Sequence, residues 1–150
     1  MFRGSFEHTV DDKGRVSVPA KFRDRITAAN DDRVVITNFQ FTTLRCLDVY
    51  PYPAWVRLEE RVLQQPQFDL RVQHIYQYYF AEAQDQQLDK QGRILLPPTL
   101  REYANLRRDV VFVGQGEKFQ IWDRDARKQV HSRAESAVFE DPNFFRDLGV

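Results

Sequence analysis

The chain has 150 residues with 22 Lys plus Arg and 22 Asp plus Glu, a balance that excludes a strong overall field for nucleic acid or membranes, so any basic site must be local. Cys46 stands alone, which excludes an intramolecular disulfide framework and is compatible with a reducing compartment. No apolar run approaches membrane-spanning length and the N-terminal stretch lacks a signal-peptide core, so we expect a cytoplasmic protein without a membrane partner.

The first third of the chain predicts two strands, a short helix and two further strands. A strand over residues 5–10 leads into the turn DDKG, where Asp11 can accept bonds from backbone N–H groups and Gly14 tolerates a positive φ. A short strand begins at Arg15, and Pro19 ends it and suits the first turn of the helix PAKFRDRI. The segments DDRVVITNF and TTLRCLDVYP then predict two strands.

Two connector helices follow, and each carries an apolar stripe. The stripe of YPAWVRLEERVLQQ contains Trp55, Leu58, Val62 and Leu63, and that of PQFDLRVQHIYQYYF contains Phe68, Val72, Ile75, Tyr76 and Tyr79. The next part repeats the first: strand FAEAQDQQLD, turn DKQG, strand RILLP, helix PPTLREYA, and strands DVVFVGQG and KFQIWD. Asp123 can cap a final helix from Arg124 to about Phe139, and the tail broken by Pro142 is expected to fray.

An internal repeat underlies this order of elements. VDDKGRVSVPAKFRD at residues 10–24 recurs as LDKQGRILLPPTLRE at 88–102, with five identities in fifteen aligned positions. Average composition would give about one identity by chance. The identical pairs are Asp11/Asp89, Gly14/Gly92, Arg15/Arg93, Pro19/Pro97 and Arg23/Arg101. We therefore predict two pseudo-symmetric half-units in one compact body: a first repeat (1–52), connector helices (53–79), a second repeat (80–123), and a C-terminal helix and tail (124–150).

The shared pattern D-x-x-G-R-[VI]-x-[VL]-P indicates a tight turn with an arginine at its edge. Such an arginine suits recognition of a phosphate or a guanine edge, because its guanidinium donates two parallel hydrogen bonds. Lys13 adds a cation to the first turn where the second has Gln91, so the first turn is expected to bind more strongly. Alternatively, the two Asp–Arg pairs are only local ion pairs that stabilise the turns.

The residues favour binding over catalysis. The three histidines, His8, His74 and His131, lack metal-ligand spacing, and no nucleophile, base and orienting group occur together. Cys46 lies in an apolar strand, where a small buried side chain is the simplest interpretation. The GQG segment is more typical of a hairpin turn than of a phosphate loop. We expect no enzyme, cofactor, metal or small-molecule substrate.

The paired segments DDKGRVSVP and DKQGRILLPPTLR, with the start MFRG and the later VVFVGQGEKFQIWD, resemble the MraZ family of bacterial transcriptional regulators. Each half-unit resembles the swapped-hairpin fold of AbrB-like DNA-binding domains. The resemblance implies an α+β fold, a small mixed β-barrel of two fused half-units with connector and C-terminal helices. It also implies a ring-shaped homo-oligomer, nucleoid-associated, that binds double-stranded DNA at short G-rich direct repeats in the promoter of the division and cell-wall operon.

The resemblance and the residues together assign a DNA-binding face. Arg15 is expected to be the main reader of bases, with Lys13 and Arg3 as phosphate contacts and Gly14 shaping the first turn. The other expected members are Lys90 and Arg93 for DNA contact, and Asp11 and Asp89 as organisers of the two turns. The alternative function is an oligomeric protein-interaction module on the same barrel, using the aromatics of HIYQYYF; more simply, those aromatics pack the connector helices.

Overall fold

The computed structural model describes residues 1–150. Its eight strands form a six-stranded antiparallel sheet and a separate two-stranded ribbon. The strands are β1 (Ser5–Thr9), β2 (Arg15–Ser17), β3 (Arg33–Phe41), β4 (Leu44–Pro51), β5 (Gln84–Gln87), β6 (Arg93–Leu95), β7 (Asp109–Gln115) and β8 (Lys118–Asp123). The helices are α1 (Ala20–Thr27), α2 (Tyr52–Leu63), α3 (Leu70–Ile75), α4 (Pro98–Tyr103), α5 (Arg124–Glu140) and α6 (Asn143–Asp147). A π-helical segment (Tyr76–Phe80) extends α3.

Four strand pairs join the two predicted repeats. The sheet order is β1-β7-β8-β4-β3-β5, so the first strand of each repeat pairs with the third strand of the other. The β4–β8 pair and the β2–β6 ribbon also cross between repeats. This arrangement confirms the α+β class, while the swapped-hairpin description stays a prediction.

The expectation of a closed barrel was wrong. The outermost strands β1 and β5 each have a single neighbour, β7 and β3 respectively, so the sheet has two open edges. The chain leaves the sheet after both edge strands, at the glycine turns, and continues into the separate β2–β6 ribbon. The edge strands therefore do not pair with each other.

The main core lies between one face of the sheet and a layer made of the ribbon, α1 and α4. Val16 and Ile94 contribute the inner face of the ribbon, while Phe22 and Leu100 contribute the helices. Phe2 reaches this core from the N-terminus, with its ring edge-on to those of Phe22 and Phe119. Burial of such large apolar side chains is the main stabilising contribution, and it fixes the ribbon on the sheet.

The opposite face of the sheet carries the connector and C-terminal helices. Trp55 of α2 packs with Tyr50 and the π-helical segment, and Val130 of α5 packs with Cys46 and Trp122. Asp123 caps α5 as predicted, accepting bonds from the backbone N–H groups of residues 125 and 126 at 3.2 and 3.3 Å. The connector aromatics thus include residues that pack helices onto the sheet, as the simpler sequence interpretation expected.

A buried carboxylate fixes the π-helical segment. Asp48 on β4 is fully buried and accepts hydrogen bonds from Lys118 Nζ at 2.8 Å, from Gln120 Nε2 at 2.9 Å and from the Tyr79 hydroxyl. A buried charge is tolerated only when it is paired and hydrogen-bonded, as here. Burial, and then the charge of Asp48, raise the pKa of Tyr79.

Three local predictions need correction. Phe68 and Leu63 were assigned to the apolar stripes of the connector helices, yet Phe68 is fully exposed and Leu63 is 65% exposed. The cause is a helix boundary: α2 ends at Leu63 and α3 begins only at Leu70, with Asp69 as its cap, so both apolar residues lie at or in the connection. The tail expected to fray after Pro142 forms the short exposed helix α6.

Candidate nucleic-acid interface

The first DxxGR turn is built around one carboxylate. Asp11 Oδ1 accepts the backbone N–H groups of Lys13 and Arg15, both at 2.9 Å, and Asp11 Oδ2 accepts Arg15 Nε at 2.9 Å. The backbone N–H of Gly14 donates to the Asp11 carbonyl at 3.0 Å, and Gly14 has a φ of 83°. Glycine adopts this left-handed conformation without the steric cost that a Cβ imposes. The sequence therefore specifies this turn locally.

The second turn has the same backbone but a different outer surface. Asp89 accepts the backbone N–H groups of Gln91 and Arg93 and the Arg93 Nε, each at 2.9 Å, and Gly92 has a φ of 75°. Here Gln91 Oε1 also accepts Arg93 Nη2 at 2.9 Å. Gln91, which has the repeat position of Lys13, thus engages an Nη atom of Arg93. In the first turn, the Nη atoms of Arg15 have no side-chain acceptor.

The carboxylates of both turns are held in their charged form. The backbone N–H of Arg15, followed by its side chain, lowers the pKa of Asp11 below 3.8. Arg93 lowers the pKa of Asp89 in the same way. Burial opposes both shifts but does not cancel them. The predicted ion pairs therefore exist, yet each uses only the Nε edge of its arginine within the pair.

The β2–β6 ribbon places both arginines on one face. Arg15 pairs with Leu95, and Ser17 pairs with Arg93, so these four residues share a side of the antiparallel ribbon. Because side chains alternate along a strand, the intervening Val16 and Ile94 face the core. Arg15 is 34% exposed and Arg93 is 26% exposed, which leaves both guanidinium groups accessible from the same direction.

The lysines of the two turns are exposed, and Arg3 lies elsewhere. Lys13 and Lys90 form no ion pair and reach solvent at the tips of their turns. Arg3 precedes β1, whereas the first turn follows it, so the two occupy opposite ends of that strand. The Arg3 backbone passes directly over Gly114, where any side chain would collide with it. The structure does not bring Arg3 together with the turn residues.

Two arginines of the repeat that were given no site role extend across to the opposite turns. A Cβ built on Gly14 would lie 2.8 Å from Arg101 Nη1, and one built on Gly92 would collide with Arg23. Arg23 Nη1 also reaches the carbonyl of Gln91 at 3.5 Å. Their identity between the two copies of the motif was the available signal, but only the three-dimensional structure shows which turn each arginine covers.

Outside this surface, three findings concern metal binding, the single cysteine and the length of the helices. No group of three or more His, Cys, Asp or Glu side chains is arranged to hold a metal ion. Cys46 is buried, and burial raises the pKa of its thiol, so the thiolate form that reacts is disfavoured. No helix combines the length and apolar character needed to cross a membrane.

Comparison with known proteins gives one consistent result. The family model described as "MraZ protein, putative antitoxin-like" matches residues 1–73 and 79–144. A protein of Thioalkalivibrio sulfidiphilus named Transcriptional regulator MraZ is 43% identical over 141 residues, covering 94% of this chain and 91% of the relative. Proteins with the same name from Acidithiobacillus ferrooxidans and Anaeromyxobacter dehalogenans are 40% and 38% identical, covering 82% and 97% of this chain and 83% and 99% of their own lengths.

Proposed function

The chain belongs to the MraZ family, and from this premise we propose that it is a transcriptional regulator that binds specific sequences in double-stranded DNA. The observation that carries the proposal is the β2–β6 ribbon, which presents Arg15 and Arg93 on one accessible face. The major groove of B-DNA, about 12 Å wide, admits a two-stranded ribbon. An arginine on such a ribbon can donate two hydrogen bonds to guanine O6 and N7, which suits G-rich sites.

We assign the leading role to the first turn. Arg15 has its Nε on Asp11 and no side-chain acceptor on its Nη atoms, so the outer edge of the guanidinium can read a base. Lys13, at the turn tip, is positioned to neutralise a phosphate, and Lys90 is its counterpart at the second turn. Gly14 is assigned to the site because it lets the backbone take this shape. Asp11 and Asp89 are assigned the role of orienting Arg15 and Arg93.

Arg3 is kept as a separate phosphate contact. Arg3 shares a shallow surface with Lys21 and Arg25 of α1, at the other end of β1 from the first turn. A phosphate bound there would lie outside the ribbon, so the contact would lengthen the interface with DNA without reading a base. Its removal is therefore expected to weaken binding to all sequences alike.

The balanced charge of the chain argues for several copies acting together. A neutral protomer with few free cations binds DNA weakly, because affinity follows the number of neutralised phosphates. A ring-shaped homo-oligomer on direct repeats would multiply these contacts through high local concentration. Exposed apolar side chains, including Phe68 and Leu70 at the connector and Phe144 and Leu148 near the C-terminus, are suited to contacts between copies.

The biological setting follows from the resemblance and remains part of the proposal. The expected target is the promoter of the division and cell-wall operon, bound in the cytoplasm on nucleoid DNA. The division of the chain into two repeats, connector helices and C-terminal segment also stays a prediction. The alternative, a protein-interaction module without DNA, would use the same exposed apolar residues, but it gives no role to the two outward arginines.

The test measures binding of the purified protein to two DNA duplexes of equal length. One has the sequence of the region upstream of the protein's own gene, called here the upstream duplex, and the other has that sequence scrambled. We expect preferential binding to the upstream duplex, protection of repeated boxes, and affinity that falls steeply with salt. The variant Arg15→Ala/Arg93→Ala, which removes both ribbon arginines, serves as the control and should lose the preference. Equal binding to both duplexes, or binding insensitive to salt, would contradict the proposal, and a mass measurement would show whether copies assemble.

A further inference from the structure

We propose that Arg101 and Arg108, both from the second repeat, form a phosphate-binding site beside the first turn. This inference rests on the proposed DNA-binding function and extends it: the surface around Arg15 is composite, with cations supplied by both halves of the chain. The site would take a phosphate of the DNA backbone next to the base read by Arg15. It would also make the two ends of the ribbon electrostatically unequal.

The first observation is the position of Arg101. Its guanidinium occupies the space above Gly14, where an added Cβ would lie 2.8 Å from Nη1. Arg101 is half-buried and forms neither an ion pair nor a side-chain hydrogen bond, unlike Arg107 nearby. The Arg101 guanidinium can lie over the turn because glycine has no side chain there, and its unused donors are available to an anion.

The second observation is the position of Arg108, whose backbone pairs with Val10 beside the first turn. The backbone N–H of Val10 donates to the carbonyl of Arg108 at 2.8 Å, immediately before the first turn. The side chain of Arg108 is exposed and has no ion pair, so its charge is not compensated within the chain. Arg101, Arg107 and Arg108 line one depression that also includes Asp11 and Asp12.

Of the two carboxylates in that depression, Asp11 is already committed and Asp12 is not. Both oxygens of Asp11 are already used by donors of its own turn, and its charge is paired with Arg15. Arg107 is bound to Asp123 and Asp125, with distances of 3.2 and 2.7 Å, so we do not count it among the phosphate contacts. Asp12 is the remaining exposed carboxylate, and its single negative charge offsets one of the two uncommitted arginines, so these three side chains together keep a charge of +1.

The second turn reverses this charge at equivalent positions. Leu88 occupies the repeat position of Val10, and its backbone N–H donates to the carbonyl of Asp32 at 3.0 Å. Asp32 therefore stands where Arg108 stands at the first turn, and Asp31 stands where Arg107 stands. Asp32 accepts from Gln87, while Asp31 is paired with Arg33. The first turn therefore has two arginines beside it, Arg101 and Arg108, whereas the second has Arg23 and Asp32 at the equivalent positions. We therefore place the phosphate site at the first turn.

The experiment compares Arg108→Ala and Arg101→Ala with the matched variant Arg23→Ala, which removes the equivalent of Arg101 at the second turn. The probes are an upstream-region duplex and a scrambled duplex, titrated over a range of salt concentrations. For Arg108→Ala and Arg101→Ala we expect weaker binding to both duplexes by a similar factor. The slope of log affinity against log salt should become shallower by about 0.9 per engaged protomer for each lost contact. Arg23→Ala should leave the slope close to that of the unmodified protein.

Thermal unfolding of each variant separates loss of contact from loss of fold. The Arg108 side chain is exposed, so Arg108→Ala should unfold at the same temperature as the unmodified protein. An unchanged slope for Arg108→Ala and Arg101→Ala, in a protein that binds the upstream duplex, would overturn this inference and leave the proposed function intact. An equal loss for Arg23→Ala would also overturn it. Failure of the unmodified protein to bind either duplex would instead contradict the proposed function.

Discussion

The two glycine turns share one backbone and differ in what surrounds it. Both have an aspartate that accepts two backbone N–H groups and an arginine Nε, each bond at 2.9 Å. Each turn presents one exposed lysine, but the first is flanked by Arg108, whereas the second has Gln91 bound to its arginine and is flanked by Asp32. The shared bonds account for the common backbone of the two turns, and their different surroundings are the basis of the unequal binding roles that we propose for them.

The largest expected difference between the turns lies in their arginines. Arg15→Ala should weaken binding to the upstream duplex about 10- to 100-fold, because a bidentate contact to guanine contributes about 1–3 kcal/mol. Arg93→Ala should have a smaller effect, since Arg93 is already engaged by both Asp89 and Gln91. Quantitative gel shifts on the two variants check the order. A greater loss for Arg93→Ala would mean that the second turn is the main reader.

The glycines separate folding from binding. Gly14→Ala and Gly92→Ala each place a Cβ on a residue with positive φ, which costs about 1–2 kcal/mol, so both should lower the unfolding temperature. Gly14→Ala must also displace Arg101, whereas Gly92→Ala displaces Arg23. Only the former should additionally weaken DNA binding, by about tenfold for a loss near 1.4 kcal/mol. Calorimetry and binding titrations distinguish the two effects, and equal binding losses would contradict the asymmetry.

Exchange of the turn-tip residues should move the two turns toward each other. Gln91→Lys removes the acceptor of Arg93 Nη2 and adds a cation, so affinity for DNA should rise and the salt slope should steepen by about 0.9 for one added phosphate contact. Lys13→Gln should do the reverse and provide an acceptor for Arg15. The same salt titrations measure both. An unchanged slope in the two variants would show that neither position faces a phosphate.

The smallest difference is expected in acid, where the turns should behave alike. The pKa values of Asp11 and Asp89 are lowered in the folded protein, so these groups stabilise it fully above the ordinary pKa of 3.8. That contribution is lost as the pH falls through the lower folded-state values. Thermal unfolding between pH 7 and pH 2 should therefore decline less steeply for Asp11→Asn and Asp89→Asn than for the unmodified protein. Equal declines would indicate that the turn bonds do not favour the charged carboxylates.

Much of the fold could be predicted because its signals are local. The turn chemistry of Asp11 and Gly14, the prolines after each ribbon strand and the cap at Asp123 each specify structure within a few residues. The open sheet could not be predicted, because strand order depends on pairings across the whole chain. The exposure of Phe68 was also missed: an apolar residue at helical spacing gives no indication that the helix begins only at Leu70.

The site divides in the same way. Arg15, Arg93 and their aspartates could be found from the repeat, because each pair lies four residues apart in one turn. Arg101 and Arg108 could not, since strand pairing between distant parts of the chain brings them to a turn more than 80 residues away in sequence. The hydrogen bond between Gln91 and Arg93 depends on side-chain geometry, although the Lys13/Gln91 difference marked the position.

The most direct test of the unequal turns is the structure of the protein bound to a duplex from its upstream region. We predict that the Arg15 guanidinium lies within hydrogen-bond distance of guanine O6 and N7, that Arg108 contacts a phosphate, and that Arg93 keeps its bond to Gln91. A complex in which Arg93 reads the bases while Arg15 faces solvent would contradict the account.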